Sequence, residues 1–172
     1  MAPEATLDGN LEANQADTET SLASSDKPEL RLWLRLLTCT NLVEGEIRRR
    51  LRQDFSTTLP RFDLLAQLDR HPGDLTLTAL SNHMMVSNGN LTGLVDRLVT
   101  DGLVERRPDP HDGRSRRVAL TAAGKAHFDA MTPAHEAWVN HMLEGLSHDD
   151  IDLLHNLLGK LKLSATAIEV PS

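Results

Sequence analysis

Two short segments of this 172-residue chain carry side chains suited to chemistry, and in both the chemistry is recognition rather than turnover. The first is Ser87-Asn88-Gly89-Asn90-Leu91-Thr92. Asn88, Asn90 and Thr92 can donate and accept hydrogen bonds at base edges. Ser87, with the backbone N–H groups of a helix start, can hold a phosphate. Arg97 lies on the same helix and is grouped with them as a DNA contact. Gly89 and Gly93 each cost about 1 kcal/mol relative to Ala inside a helix, so close approach of another backbone is a reason for them. The second segment, residues 103–117, holds five arginines against Glu105, Asp109 and Asp112. Its Pro, Asp and Gly content between Pro108 and Gly113 makes it a turn. Arg114, Arg116 and Arg117 can reach phosphates or enter a narrow minor groove. Taken singly, the segments also fit a capped surface helix and a solvated charged hairpin. Their direct succession favours double-stranded DNA as the partner.

Composition sets the bounds. A hydrophobic content of 40% supports a packed core, while 3% aromatics and no Tyr argue against a stacking platform for single strands. The net charge of −7 opposes a DNA partner at first sight. Residues 1–29, however, hold seven acids against Lys27 alone, which leaves the rest of the chain at −1. A local basic loop decides phosphate binding more than the global sum does. The start of the chain lacks the basic and apolar regions of a secretory leader, and no apolar stretch approaches the roughly 20 residues of a bilayer span. A single cysteine, Cys39, makes no internal disulfide, and a cytoplasmic protein is expected. No nucleophile elbow, phosphate-binding loop or zinc-protease helix is present, so neither enzymatic activity nor a cofactor is expected.

The elements that must position these residues follow from periodicity and punctuation. Residues 1–25 are polar and acidic and read as a flexible arm. Asp26-Lys27-Pro28-Glu29 opens a long helix to about Phe55, with Leu30, Trp33, Leu34, Leu37, Leu42, Val43, Ile47 and Leu51 on a broad apolar face. A second helix starts near Leu59-Pro60 and stops at Pro72-Gly73. Thr76 caps a short helix through Met84, and Ser87 caps the next, which stops at Asp101-Gly102. Strands at about 103–107 and 118–120 flank the basic turn. Thr121 caps another long helix, which Pro133 should kink or interrupt. Ser147 and Asp150 form a capping box for the last helix. The expected fold is mainly α with a small β-hairpin wing: a winged helix-turn-helix at 57–120, embedded in a helical dimerisation scaffold at 26–56 and 121–165. The outer helices present more apolar surface than the central module can cover, which marks an interface.

Leu98, Gly102-Leu103-Val104 and Arg106, then Asp112-Gly113-Arg114, Val118, Leu120-Thr121 and Gly124, resemble the signature of MarR-type transcription factors across residues 30–163. The resemblance implies a homodimer that binds a near-palindromic operator, usually as a repressor released by a small ligand. It places Ser87 to Thr92 in the major groove and Arg114 in the minor groove, with Asp112 orienting the wing. One departure is Gly93, where many members carry a basic residue; Arg116 and Arg117 are placed to replace that contact.

Leu32-Trp33-Leu34-Arg35-Leu36-Leu37, Leu59-Pro60-Arg61-Phe62-Asp63-Leu64-Leu65 and Val86 to Asn90 further resemble regulators of hydroxycinnamate catabolism, which respond to aromatic acyl-CoA thioesters. An aromatic acyl group or aromatic acid suits an apolar pocket of Trp33, Leu37, Phe62 and Leu65. CoA phosphates suit Arg31, Arg35 or Arg61. The competing reading makes Trp33 and Phe62 core and the arginines a solvated face. Redox sensing through Cys39 is the alternative, against a half-buried structural thiol. The histidines from His127 to His155 make no tight ligand pair on one helical turn, and no metal is expected. The run Arg48-Arg49-Arg50-Arg52 reads as a solvated helix end near the negative pole of the helix dipole.

Overall fold

The computed structural model describes residues 27–71, 75–109 and 115–167. The elements run α1 (Pro28–Phe55), α2 (Leu59–Arg70), β1 (Leu75–Thr76), α3 (Leu77–Met84), α4 (Asn88–Thr100), β2 (Val104–Pro108), β3 (Arg116–Leu120), α5 (Ala122–Met142) and α6 (His148–Thr166). The chain divides into two compact units, residues 1–49 and 50–172.

In the first unit the described residues form most of α1. The expected apolar face exists, but Leu30, Leu32, Trp33, Leu37, Leu42 and Val43 are exposed along it. Glu44 with Arg48 and Glu46 with Arg49 form ion pairs one turn apart, at 2.5 and 2.6 Å. The arginine run is therefore mostly a solvated, paired surface, as its spacing from the acids dictates. Asp26, the expected cap, lies outside the described residues.

The second unit holds the core. Leu51, Leu64, Leu65, Leu80, Leu98 and Met131 are among its fully buried side chains. Arg50 lies 5.8 Å above the Trp138 ring, and Phe55 packs on the same ring at 6.0 Å. At the end of α1 the chain turns through Ser56 at φ 51°.

The capping signals form as their residue types require. Thr76 accepts the N–H of Ala79, and Thr121 that of Gly124. Ser147 and Asp150 bond reciprocally at the start of α6. α5 runs through Pro133 without interruption, so of the two expected effects of this proline the break does not occur. A proline inside a helix forfeits one backbone bond, and burial of Phe128, Met131 and Trp138 on either side of Pro133 offsets that loss.

A strand the sequence did not signal completes the sheet. Residues 75–76 pair with β3, placing Leu75 opposite Val118 and Thr76 opposite Arg117, so the strand order is β1-β3-β2. The hairpin register runs from Val104 opposite Leu120 to Pro108 opposite Arg116. α6 is different in kind. None of its 19 residues is buried, although Ile151, Leu154, Leu157, Leu158 and Leu161 form a stripe along it.

His135 on α5 stacks on Phe62 of α2 at 4.5 Å, and burial lowers its pKa from the ordinary 6.5. Folding thus favours the neutral ring. Its contribution is complete above the unfolded value of 6.5 and is lost as pH falls through the lower folded value. Thermal melts should show the wild type losing more stability between pH 7 and pH 5.5 than His135→Phe, which keeps the stack but cannot titrate. Equal losses would remove His135 from the acid response.

Candidate nucleic-acid interface

The helix pair is built around a tight turn. α3 ends at Met85, which takes the left-handed conformation with φ 53°. The N–H of Val86 then donates to the Ser81 carbonyl at 3.2 Å. Ser87 caps α4 by accepting the Asn90 N–H at 3.4 Å. One face of α4 is committed to the core through Leu91, Leu94, Val95 and Leu98. That commitment turns Asn88, Asn90 and Thr92 outward, where all three are exposed. Thr92 donates its hydroxyl proton to the Asn88 carbonyl at 2.8 Å, which leaves its oxygen free to accept. Gly89 and Gly93 face open space, so packing within the chain does not demand glycine at either position. Arg97 is exposed and lines a cleft of about 290 Å³ with Pro60, Met84, Val86 and Asn90.

The wing follows from a left-handed turn at Gly102, φ 71°, which carries the chain from α4 into β2. Ion pairs sort its arginines. Arg106 reaches back to Asp96 on α4 at 2.6 Å, Arg107 pairs with Glu105, and Arg117 pairs with Asp109 at 2.7 Å. Arg116 is exposed and has no acid partner among the described residues. Of the two arginines expected to replace the basic residue missing at Gly93, Arg117 is held by Asp109, whereas Arg116 is exposed. Asp112 and Arg114 lie outside the described residues.

The residues expected to meet an effector fall into two groups. Arg31, Trp33, Arg35 and Leu37 belong to α1 and are all exposed. Arg61, Phe62 and Leu65 belong to α2. Arg61 is tied to Asp101, just past α4, at 2.5 Å. Leu65 is fully buried. Phe62 is buried against Phe128 and His135 and floors a cleft of about 260 Å³, with Asp63, Arg70, His83 and Met84 around it. Cys39 is exposed rather than half-buried. Among the described residues no group of three or more His, Cys, Asp or Glu side chains is placed to hold a metal. No described helix is long and apolar enough to cross a membrane.

A family profile described as MarR family matches residues 55–115. The transcriptional activatory protein BadR of Rhodopseudomonas palustris is 32% identical over 149 residues, covering 84% of this chain and 81% of BadR. A solved MarR family transcriptional regulator from Silicibacter pomeroyi is 33% identical with a TM-score of 0.70, over 82% of this chain and 99% of that one. The chain belongs to the MarR family of transcriptional regulators. The HTH-type transcriptional repressor YetL of Bacillus subtilis is also 32% identical, over 57% of this chain and 59% of YetL. MarR-family proteins are DNA-binding regulators and not enzymes. The redox reading of Cys39 draws no support from these relatives. The sequence missed the pairs Arg61–Asp101, Arg106–Asp96 and Arg117–Asp109. An acid and an arginine bracketing a Pro/Gly turn was the available signal for the last of them.

Proposed function

We propose that this MarR-family protein acts as a homodimeric repressor of an aromatic-compound catabolic operon, released by an aromatic acid or aromatic acyl-CoA. The observation that carries the DNA half is α4, with its apolar face buried and Asn88, Asn90 and Thr92 turned outward from a capped start. In this reading Ser87, Asn88, Gly89, Asn90, Thr92 and Arg97 read the major groove. Arg114 and Arg116 enter the flanking minor grooves, and Asp112 orients the wing. Residues 57–120 are the DNA-binding domain, 26–56 and 121–165 the dimerisation region, and 1–25 an acidic arm. The open space at Gly89 and Gly93 supports close approach of a DNA backbone.

The effector half rests on the cleft floored by Phe62. Its 260 Å³ sits near the lower end of small-molecule sites, which suits one aromatic ring. Arg70 and His83 at its rim suit a carboxylate or phosphate. Of the α2 residues expected to contact the effector, Phe62 lines this cleft, while Arg61 is held by Asp101 and Leu65 is fully buried.

The test is fluorescence anisotropy with a site selected from a randomised duplex library. Affinity should fall steeply with salt, and Arg114→Ala should weaken it while the oligomeric state persists. A flat salt response would sink the DNA reading. Adding a hydroxycinnamoyl-CoA should release the duplex and the free acid should do so poorly; no release by either would sink the effector reading alone.

A further inference from the structure

The turn that joins α3 to α4 holds a residue whose type the fold alone does not explain. Met85 closes α3 in the left-handed conformation, with φ 53° and ψ 37°. That conformation suits glycine, because a Cβ there crowds the following carbonyl oxygen. A methionine in this place is strained, and such strain persists only where the surroundings fix it. Here they do. The Met85 N–H donates to the Asn82 and Ser81 carbonyls, and the Val86 N–H donates to Ser81 as well. Packing within the chain does not repay the strain. Met85 is 91% exposed, more than any other large hydrophobic residue among those described, and Val86 beside it is exposed too. Two residues on, Ser87 caps α4, and Ser87, Asn88 and Asn90 are exposed in turn. With hydrogen bonds on both sides of the turn, Met85 is carried at a fixed place next to the start of that helix.

We propose that Met85 packs on a thymine methyl at the edge of the major-groove site, which makes it a specificity-determining residue of this regulator. The assignment rests on the proposed DNA reading by α4. Asparagine and serine side chains match donors and acceptors at base edges, whereas the thymine 5-methyl is the apolar group that the major groove presents. A long, polarisable thioether conforms to such a contact. Met85 thus adds an apolar contact to a helix start whose other exposed side chains are polar. The contact also accounts for methionine where the backbone favours glycine. It carries no charge, so it bears on which sequence is bound and not on how binding responds to salt.

The experiment uses the full-length protein, its selected duplex, and the same duplex with single thymines replaced by deoxyuridine, which removes only the methyl group. For the wild type, one such replacement in a half-site should weaken binding about fourfold, the worth of one buried methyl. Met85→Gly should bind the thymine duplex at least about fourfold more weakly and should no longer distinguish that thymine from deoxyuridine. Its salt slope should equal that of the wild type. It should melt no lower than the wild type, because glycine suits the left-handed turn. A lower melting temperature would assign Met85 to the fold and overturn the proposal. Weaker binding that keeps full sensitivity to the methyl also overturns it, since the side chain would then touch the sugar–phosphate backbone. If the wild type binds no duplex specifically, the DNA reading fails and this contact falls with it. Specific binding and methyl discrimination that Met85→Gly retains defeat the contact and leave the DNA reading standing.

Discussion

Gly124→Ala should cost this regulator about 3 kcal/mol and lower its melting temperature by about 10 °C. A Cβ at Gly124 falls 1.8 Å from the Leu103 carbonyl oxygen, 2.8 Å from its carbon and 3.2 Å from its Cα. All three atoms are backbone, so no rotamer relieves the clash. The junction is also held on its other side. Leu103 accepts the Thr121 N–H at 3.1 Å, and Thr121 donates its hydroxyl to the Gly102 carbonyl at 2.7 Å. The Thr121 hydroxyl in turn accepts the Gly124 N–H at 2.9 Å. One residue's lack of a side chain therefore lets the start of α5 dock on the entry to β2. The sign discriminates, because in an unhindered helix Gly→Ala stabilises by about 1 kcal/mol. Gly45, with nothing within 4 Å, serves as the control and should be neutral or stabilised by alanine. Chemical denaturation that finds Gly124→Ala as stable as the wild type would show that the junction relaxes.

What could be read in the sequence divides by the range of the interaction responsible. The caps at Thr76, Ser87, Thr121 and Ser147 were legible because a hydroxyl bonds an N–H three residues on, and both partners lie in one short window. The basic hairpin was legible for the same reason, its turn chemistry lying between two short apolar runs. β1 was not, since two residues carry no period and exist as a strand only through β3, about 40 residues away. Nor were the arginine assignments. Arg61, Arg106 and Arg117 looked alike as free cations, and only tertiary placement gave each an acid. Cys39 was misjudged because burial on α1 depends on what covers that helix. The pattern of apolar residues names a face but not its partner.

Replacing Leu154 and Leu161 together by arginine should convert the proposed dimer to monomer and reduce operator affinity at least about 100-fold. The two leucines stand seven residues apart, hence on one face of α6, and they are 43% and 43% exposed. Ile151, Leu157 and Leu158 extend the same stripe, and no residue of the helix is buried. The capping box shows that α6 is a specified helix rather than a frayed end. A specified helix whose apolar stripe finds no cover among the described residues calls for cover from a second chain. Full burial of a leucine is worth about 2 kcal/mol, so four such side chains across a two-fold interface contribute about 8 kcal/mol. Arginines in their place would forfeit that gain and add buried charge without partners. The DNA effect follows from linkage: a monomer meets one half-site at a time and loses the effective concentration that joins the second. Analytical ultracentrifugation and circular dichroism on the same sample separate the causes, since helical content should persist as mass halves. A variant that remains dimeric at low micromolar concentration would place the interface on the exposed leucines of α1 instead.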